Sequence, residues 1–89
     1  MIVLTGRVRA SELIGKVIVS EERGKKFGEV ADVSYVAKTG ELMNILVSNP
    51  TKDITDLKLE EDSKGRLLIP FSAVKSIGDF VIISEDEII

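Results

Sequence analysis

Apolar residues along this chain occur in short runs that are separated by polar turns containing glycine. Many of them are β-branched, with ten Val and eleven Ile in the sequence, and such residues favour strands. No long stretch shows the helical period. The pattern predicts an all-β fold of about six short strands. Seven segments are candidates, at residues 2–8, 16–20, 27–36, 41–48, 57–60, 66–69 and 80–84.

Glycine, proline and one aspartate mark the places where these strands turn or bend. Gly24 and Gly40 stand in predicted hairpin turns, where a positive φ excludes most other residues. Two valines in the candidate strand at 27–36 are an odd number of positions apart, so they would point to opposite faces of a regular strand. They therefore predict a β-bulge, at which Asp32 is hydrogen-bonded to the backbone. Pro70 ends a strand because it cannot donate to a ladder. The residues expected to determine the fold are Gly15, Gly24, Gly28, Asp32, Gly40, Pro70, Gly78 and Asp79.

Two single helical turns are predicted between the strands. Ser11 can cap one that closes at Gly15, and residues 71–74 can form the other. The strand at 41–48 is apolar on both faces, so we expect it inside the core or beneath a partner. Short strands without long helices indicate a small barrel or a rolled sheet of antiparallel strands, and closure of a barrel removes exposed sheet edges.

The composition removes most enzyme chemistry. The 89 residues include no Cys, His or Trp, which excludes disulfides, thiolate nucleophiles, imidazole bases and the usual zinc ligands. A single domain of this length buries only about 60% of the surface that its unfolded chain exposes. Apolar area buried against a second chain would add appreciably to its stability, so size favours a dimer.

The charge distribution disfavours direct binding to nucleic acid. The formal net charge is −3, and residues 46–89 carry nine acids against five bases. The one basic concentration is Arg23 with Lys25 and Lys26, which surrounds a turn glycine and follows two glutamates. A solvated turn explains it better than a site for a phosphate backbone.

The acidic runs at residues 21–22, 60–62 and 85–87 are also interpreted as solvated turns. They lack the ligand spacing of a calcium loop, and the glycines near residue 24 lack the spacing of a phosphate-binding loop. The four aromatic residues are too few for a base-stacking surface on an acidic chain and are assigned to the core. The sequence therefore predicts no metal site and no cofactor.

No apolar run has the length of a membrane-spanning helix, and residues 1–4 are too short for the core of a signal peptide. These features predict a cytoplasmic protein without a transmembrane segment. We expect one domain over residues 1–84, followed by a short exposed acidic tail over residues 85–89.

Four pieces of sequence stand in a distinctive order along nearly the whole chain. They are ELIGKVI at residues 12–18, G-x-x-x-G-x-V-x-D-V at residues 24–33, Gly40, and I-P-x-x-x-V-x-x-I-G-D-x-V-I at residues 69–82. In this order and spacing they resemble the PRC-barrel family, a small β-barrel known from the cytoplasmic part of the photosynthetic reaction-centre H subunit and from the second domain of RimM. The chain looks like the stand-alone form that is common in archaea.

The resemblance implies a non-catalytic protein. Stand-alone archaeal members are associated with FtsZ-based cell division, as adaptors that bind the membrane-anchor protein SepF or one another. It therefore implies a homodimer or a heterodimer with a paralogous barrel, recruited to the division site. The alternative is a role in ribosome maturation like that of RimM, through a ribosomal protein because this chain is acidic.

An adaptor of this kind needs an exposed apolar patch or an unpaired strand edge. We expect the interface around Met43, Ile45 and Val47, which share one side of a strand, or around Phe80 and Ile82.

Overall fold

The computed structural model describes residues 10–36 and 38–88. These contain one turn of α-helix, α1 (Ala10–Leu13), and three 3₁₀ turns, at Lys52–Asp56, Phe71–Ala73 and Glu85–Ile88, the last of which we call the C-terminal turn. The candidate strand at residues 2–8 lies outside the described residues, and so does Ala37 before the turn at Gly40. The strands are β1 (Val17–Ser20), β2 (Lys26–Tyr35), β3 (Leu42–Ser48), β4 (Glu60–Glu61), β5 (Leu67–Pro70), β6 (Val74–Ile77) and β7 (Phe80–Ile83).

The strands form one mixed sheet in the order β4-β5-β3-β2-β1-β7-β6, consistent with a small barrel, so the predicted all-β fold is confirmed. Among the described strands the pairings are antiparallel with one exception. β1 runs parallel to β7, with Val17 beside Phe80 and Ser20 beside Ile83. The sequence predicts antiparallel strands, and this one pair differs because the chain crosses from one edge of the sheet to the other between β5 and β6.

Local pattern located most of the strands, but it missed β6 and placed the strand at residues 57–60 too early, since β4 is Glu60–Glu61. The sequence predicts a helical turn over residues 71–74 and no strand directly after it, whereas Val74–Ile77 pairs with β7. The segment Lys52–Asp56 is mostly polar in sequence and forms a 3₁₀ turn between β3 and β4. Its Ile54 is nevertheless fully buried, so this short turn fills part of the core.

Bulges bend the long β2 strand. Ala31 is the extra residue in the pairing with β3, and Asp32 Oδ1 accepts a hydrogen bond of 2.8 Å from the Val33 N–H beside it. Phe27 is the extra residue in the pairing with β1, followed by Gly28 at φ 151°. A Cβ at Gly28 would lie 2.7 Å from Val47 Cγ1, so only glycine fits this crossing.

The other residues expected to determine the fold lie in turns and at strand ends. Gly15, Gly24 and Gly40 have positive φ. Pro70 is the last residue of β5, and residues 78–79 connect β6 to β7.

The core lies on one face of the sheet. Its members are buried aliphatic residues with one aromatic, drawn from every long strand: Leu13, Ile18, Phe27, Val30, Val33, Ile45, Val47, Ile54, Ile69, Ala73, Val74, Val81 and Ile83. Half-buried Leu42, Leu57, Phe71 and Ile88 pack around this set. The core uses one face of β1 and β7, which leaves their other face as a candidate binding surface.

Candidate interaction surface

The outer face of β1 and β7 is apolar. Ile18 and Val81 point into the core, and side chains alternate along a strand, so the residues on either side of them point outward. These are Val17, Val19, Phe80 and Ile82, of which Phe80 is 51% exposed and the other three are half-buried. The parallel register places Val17 beside Phe80 and Val19 beside Ile82. We call these four residues the outer strip.

Polar groups border the outer strip on β2. Glu29 lies beside Val17 and Lys26 beside Val19, and the bulge at Phe27 brings both to the outer face. Their side chains form an ion pair, Lys26 Nζ to Glu29 Oε2 at 3.6 Å. Asn49 Nδ2 donates to Glu29 Oε1 at 3.2 Å. The charges on this side are therefore held in place and compensated.

The other side and one end of the outer strip are also polar. Ser76 of β6 lies beside Ile82. At the end near Phe80, Lys16 Nζ donates a hydrogen bond to the Gly78 carbonyl, next to the exposed Asp79. The border thus carries both signs of charge around a strip that is two strands wide.

The sheet edges within the described residues are poorly suited to pairing with another strand. β4 consists of two exposed glutamates, Glu60 and Glu61. β6 is interrupted by a register shift at Lys75, whose Nζ contacts Glu87 Oε1 of the C-terminal turn at 3.3 Å. Short length, charge and bulges are the features by which natural sheets discourage edge pairing.

A second exposed apolar surface lies at the far end of the β2–β3 hairpin. It consists of Tyr35, Val36 and Met43, which are 51%, 37% and 49% exposed. We call it the hairpin tip. Met43 is the extra residue at a register shift, because Ser34 pairs with Asn44 and Tyr35 pairs with Leu42. Methionine and tyrosine are enriched at interfaces between proteins.

The five predicted interface residues are thus divided between surface and core. Phe80 and Ile82 lie together on the outer strip, and Met43 lies on the hairpin tip. Ile45 and Val47 are buried at 0% and 3% exposure and belong to the core. Both side chains point from β3 into the core. The register shift makes Met43 an extra residue, so its side chain does not continue this inward-facing row. The alternation of apolar residues in the sequence did not indicate that Val17 and Val19 belong to a binding surface, because their place on the outer strip depends on the pairing of β1 with β7.

A polar cluster joins the β1–β2 turn to the C-terminal turn. The buried Ser20 hydroxyl donates to Glu85 Oε2, and Arg23 Nε donates to the same oxygen at 2.8 Å. The buried Ser84 hydroxyl donates to Glu22 Oε2 at 2.6 Å, and the Glu85 N–H donates to Glu22 Oε1 at 2.8 Å. These bonds anchor Glu85, which the sequence placed in an exposed tail. Asp86 and Glu87 are exposed as expected.

The same hydrogen bonds stabilise the ionised carboxylates. Donation from Ser84, then from the Glu85 N–H, lowers the pKa of Glu22 from 4.5 to about 2. The Arg23 guanidinium, with help from Ser20, holds the pKa of Glu85 below its ordinary value. One weak signal for this cluster is visible in the sequence, since Ser20 ends the apolar strand β1 and Ser84 directly follows the apolar strand β7.

One groove within the described part of the chain is small. A groove over β3–β5, lined by Asn44, Lys58 and Leu68 among others, has a volume of about 100 Å³. Small-molecule sites usually need about 300 Å³ or more. The described residues contain no group of three or more acidic side chains arranged to hold a metal ion, and none of their helices has the length and apolarity to cross a membrane.

The sequence matches a known protein family. The model of the PRC-barrel domain family matches residues 5–88 of this sequence. The comparison with curated proteins finds no match.

Proposed function

Because the chain belongs to the PRC-barrel domain family, we propose that it is a non-catalytic adaptor that holds other proteins. We propose further that it acts in FtsZ-based cell division of archaea, as a homodimer or a heterodimer with a paralogous barrel, and that SepF is a partner. The division site of the cytoplasm is then its place of action.

The presence of two separate apolar surfaces is the observation that carries this proposal. An adaptor must contact two proteins at once, and the outer strip and the hairpin tip lie on different parts of the sheet. Glu29 borders the outer strip and Tyr35 belongs to the hairpin tip, six residues farther along β2. At about 3.3 Å per residue this separates the two surfaces by about 20 Å.

Docking onto side chains fits these surfaces better than strand addition. The edge strands β4 and β6 carry charge or a bulge, whereas the outer strip and the hairpin tip present apolar side chains at the surface. A single contact of this size binds a partner with low affinity. Two of them on one module raise the overall affinity through effective concentration.

The proposal is tested by measuring mass in solution. Light scattering across a dilution series, alone and with SepF or a paralogous barrel protein, should show a dimer or a mixed complex. Phe80→Ser or Met43→Ser should weaken at least one of these complexes. Lys64→Ser, in the exposed β4–β5 turn, is the matched surface control and should leave them intact.

If the protein is strictly monomeric and binds neither SepF nor a paralogous barrel protein, the cell-division proposal is overturned. Co-sedimentation with precursors of the small ribosomal subunit is then the next measurement, because it tests the role that RimM plays.

A further inference from the structure

We propose that the outer strip binds one amphipathic α-helix of a partner protein, lying along β1 and β7. This inference rests on the proposed function, since it specifies the structure of the segment that the adaptor holds.

The width of the outer strip matches one helix. Two neighbouring strands and their side chains span about 10 Å, and an α-helix has a diameter of about 10–12 Å. Wider partners would extend over the Lys26–Glu29 ion pair on β2 or over Ser76 on β6.

The spacing of the apolar side chains also matches a helix. The row of Val17 and Phe80 is two residues from the row of Val19 and Ile82, so the rows are about 6.6 Å apart. Helix residues i and i+4 share a face and are separated by about 6 Å along the axis. Two successive turns of an apolar helix face therefore contact the two rows in order.

An extended segment is a poorer occupant of this surface. A strand that lies on the face of a sheet has no ladder partner, so its own N–H and C=O groups remain unpaired where they are covered. A helix satisfies these groups internally and presents only its side chains. This favours a helix over a strand as the ligand of the outer strip.

A second copy of this chain is also a poorer occupant. Sheets that pack face to face cover more than two strands, so the Lys26–Glu29 pair would lose water, which is costly for a charged pair. The plane of the strip covers only about 130 Å², at two strands by four residues. A stable dimer buries about 800 Å² on each partner, so a second copy would have to cover surface well beyond the strip, whereas one weakly bound helix need not.

The border of the outer strip predicts how the helix is selected. Lys26 faces Glu29 on one side, and Lys16 lies near Asp79 at the end, so neither sign of charge dominates. Selection therefore depends on apolar residues at i, i+3, i+4 and i+7, with flanks of mixed charge.

The test uses an end-blocked model peptide of about 18 residues, a length at which an isolated helix can form in water. It carries Leu at i, i+3, i+4 and i+7 in a background of Ala, Glu and Lys. The control peptide has the same composition with its Leu residues in alternation. Binding is followed by nuclear magnetic resonance of the intact chain and by circular dichroism of the peptide.

The expected result is a saturable shift of the Val17, Val19 and Ile82 methyl signals and the Phe80 ring signals, with a gain of peptide helicity. Phe80→Ser should raise the Kd about tenfold or more, and so should Ile82→Ser. Met43→Ser on the hairpin tip should leave it unchanged. Equal binding of the alternating peptide, shifts only elsewhere, or no saturation at millimolar peptide would overturn the inference.

Two further outcomes separate this inference from the proposed function. Shifts of the outer strip that depend on protein concentration without peptide indicate a second copy there and overturn the helix. A complex with SepF or a paralogue that Phe80→Ser disrupts, together with no peptide binding, also overturns the helix but leaves the adaptor function intact.

Discussion

Arg23 Nε donates a hydrogen bond of 2.8 Å to Glu85 Oε2, joining two residues that are 62 positions apart in the sequence. The same guanidinium donates from Nη2 to the Asp53 carbonyl at 3.1 Å and lies 5.5 Å from the centre of the Phe27 ring. One side chain thus connects the β1–β2 turn, the 3₁₀ turn at Lys52–Asp56 and the C-terminal turn. This explains how a chain end rich in acidic residues is held against the sheet.

Arg23→Gln should reduce the free energy of unfolding by about 1 kcal/mol, since it removes charged hydrogen bonds that are partly exposed. Arg23→Lys should recover only part of this, because an ammonium cannot reproduce the planar set of donors. Urea unfolding measures both, and hydrogen exchange at the Glu87 N–H reports the C-terminal turn directly. Lys25→Gln in the same turn is the control, and an equal loss there would contradict the role given to Arg23.

Stability should fall as the pH is lowered from about 4.5 towards 2. The pKa of Glu22 falls to about 2 in the folded chain and those of Glu85 and Asp62 are also lowered, Asp62 chiefly by the Arg66 N–H. A carboxyl with a lowered folded pKa binds its proton more tightly in the unfolded chain. Its contribution is therefore complete above the unfolded pKa and is lost as pH falls through the folded pKa.

Thermal melts between pH 6 and pH 2 measure this dependence. Glu22→Gln should flatten the decrease and lower the Tm at pH 6, because the amide has a single acceptor oxygen and cannot accept from both the Ser84 hydroxyl and the Glu85 N–H. Glu60→Gln, on the exposed strand β4, is the matched control. A pH profile of Glu22→Gln that is identical to the unmodified chain would rule out the polar cluster as the main source.

Gly28→Ala should be strongly destabilising, by about 2–4 kcal/mol. The backbone there has φ 151°, and the added Cβ would lie 2.7 Å from Val47 Cγ1 and 2.8 Å from the Ser48 carbonyl. Backbone strain and overpacking each cost about 1–3 kcal/mol. Gly78→Ala meets open space at an ordinary φ and should change the free energy of unfolding by about 0.5 kcal/mol or less. Urea unfolding of both variants shows whether the loss of stability is specific to the bulge at Gly28 or follows from any replacement of glycine by alanine.

Local pattern was sufficient for features that depend on neighbouring residues. Short β-branched runs located β1, β2, β3, β5 and β7, and the parity change between Val30 and Val33 predicted the bulge at Ala31. The strand β6 was missed because its pairing with β7, rather than its own four residues, makes it extended.

Features that depend on distant contacts could not be read from local pattern. The outer strip requires the parallel pairing of β1 with β7, which brings Val17 beside Phe80. The polar cluster requires Glu22 to reach Ser84 and Glu85. In sequence these are two acidic runs, and most such runs are solvated, so the general rule gave the wrong interpretation for Glu85.

Ile45 and Met43 provide the sharpest test of how β3 divides between core and surface. Both have the same parity in sequence, yet Ile45 is fully buried and Met43 is 49% exposed, because the register shift between Ser34 and Tyr35 makes Met43 the extra residue. Ile45→Ala should cost about 2–5 kcal/mol, the usual range for emptying a buried aliphatic site.

Met43→Ala should change the free energy of unfolding by no more than about 0.5 kcal/mol, as expected for an exposed side chain. Urea unfolding of the two single variants gives the comparison directly. A loss for Met43→Ala that approaches that of Ile45→Ala would place Met43 inside the core. That result would remove the hairpin tip as a binding surface, because a residue needed for packing is not free to contact a partner.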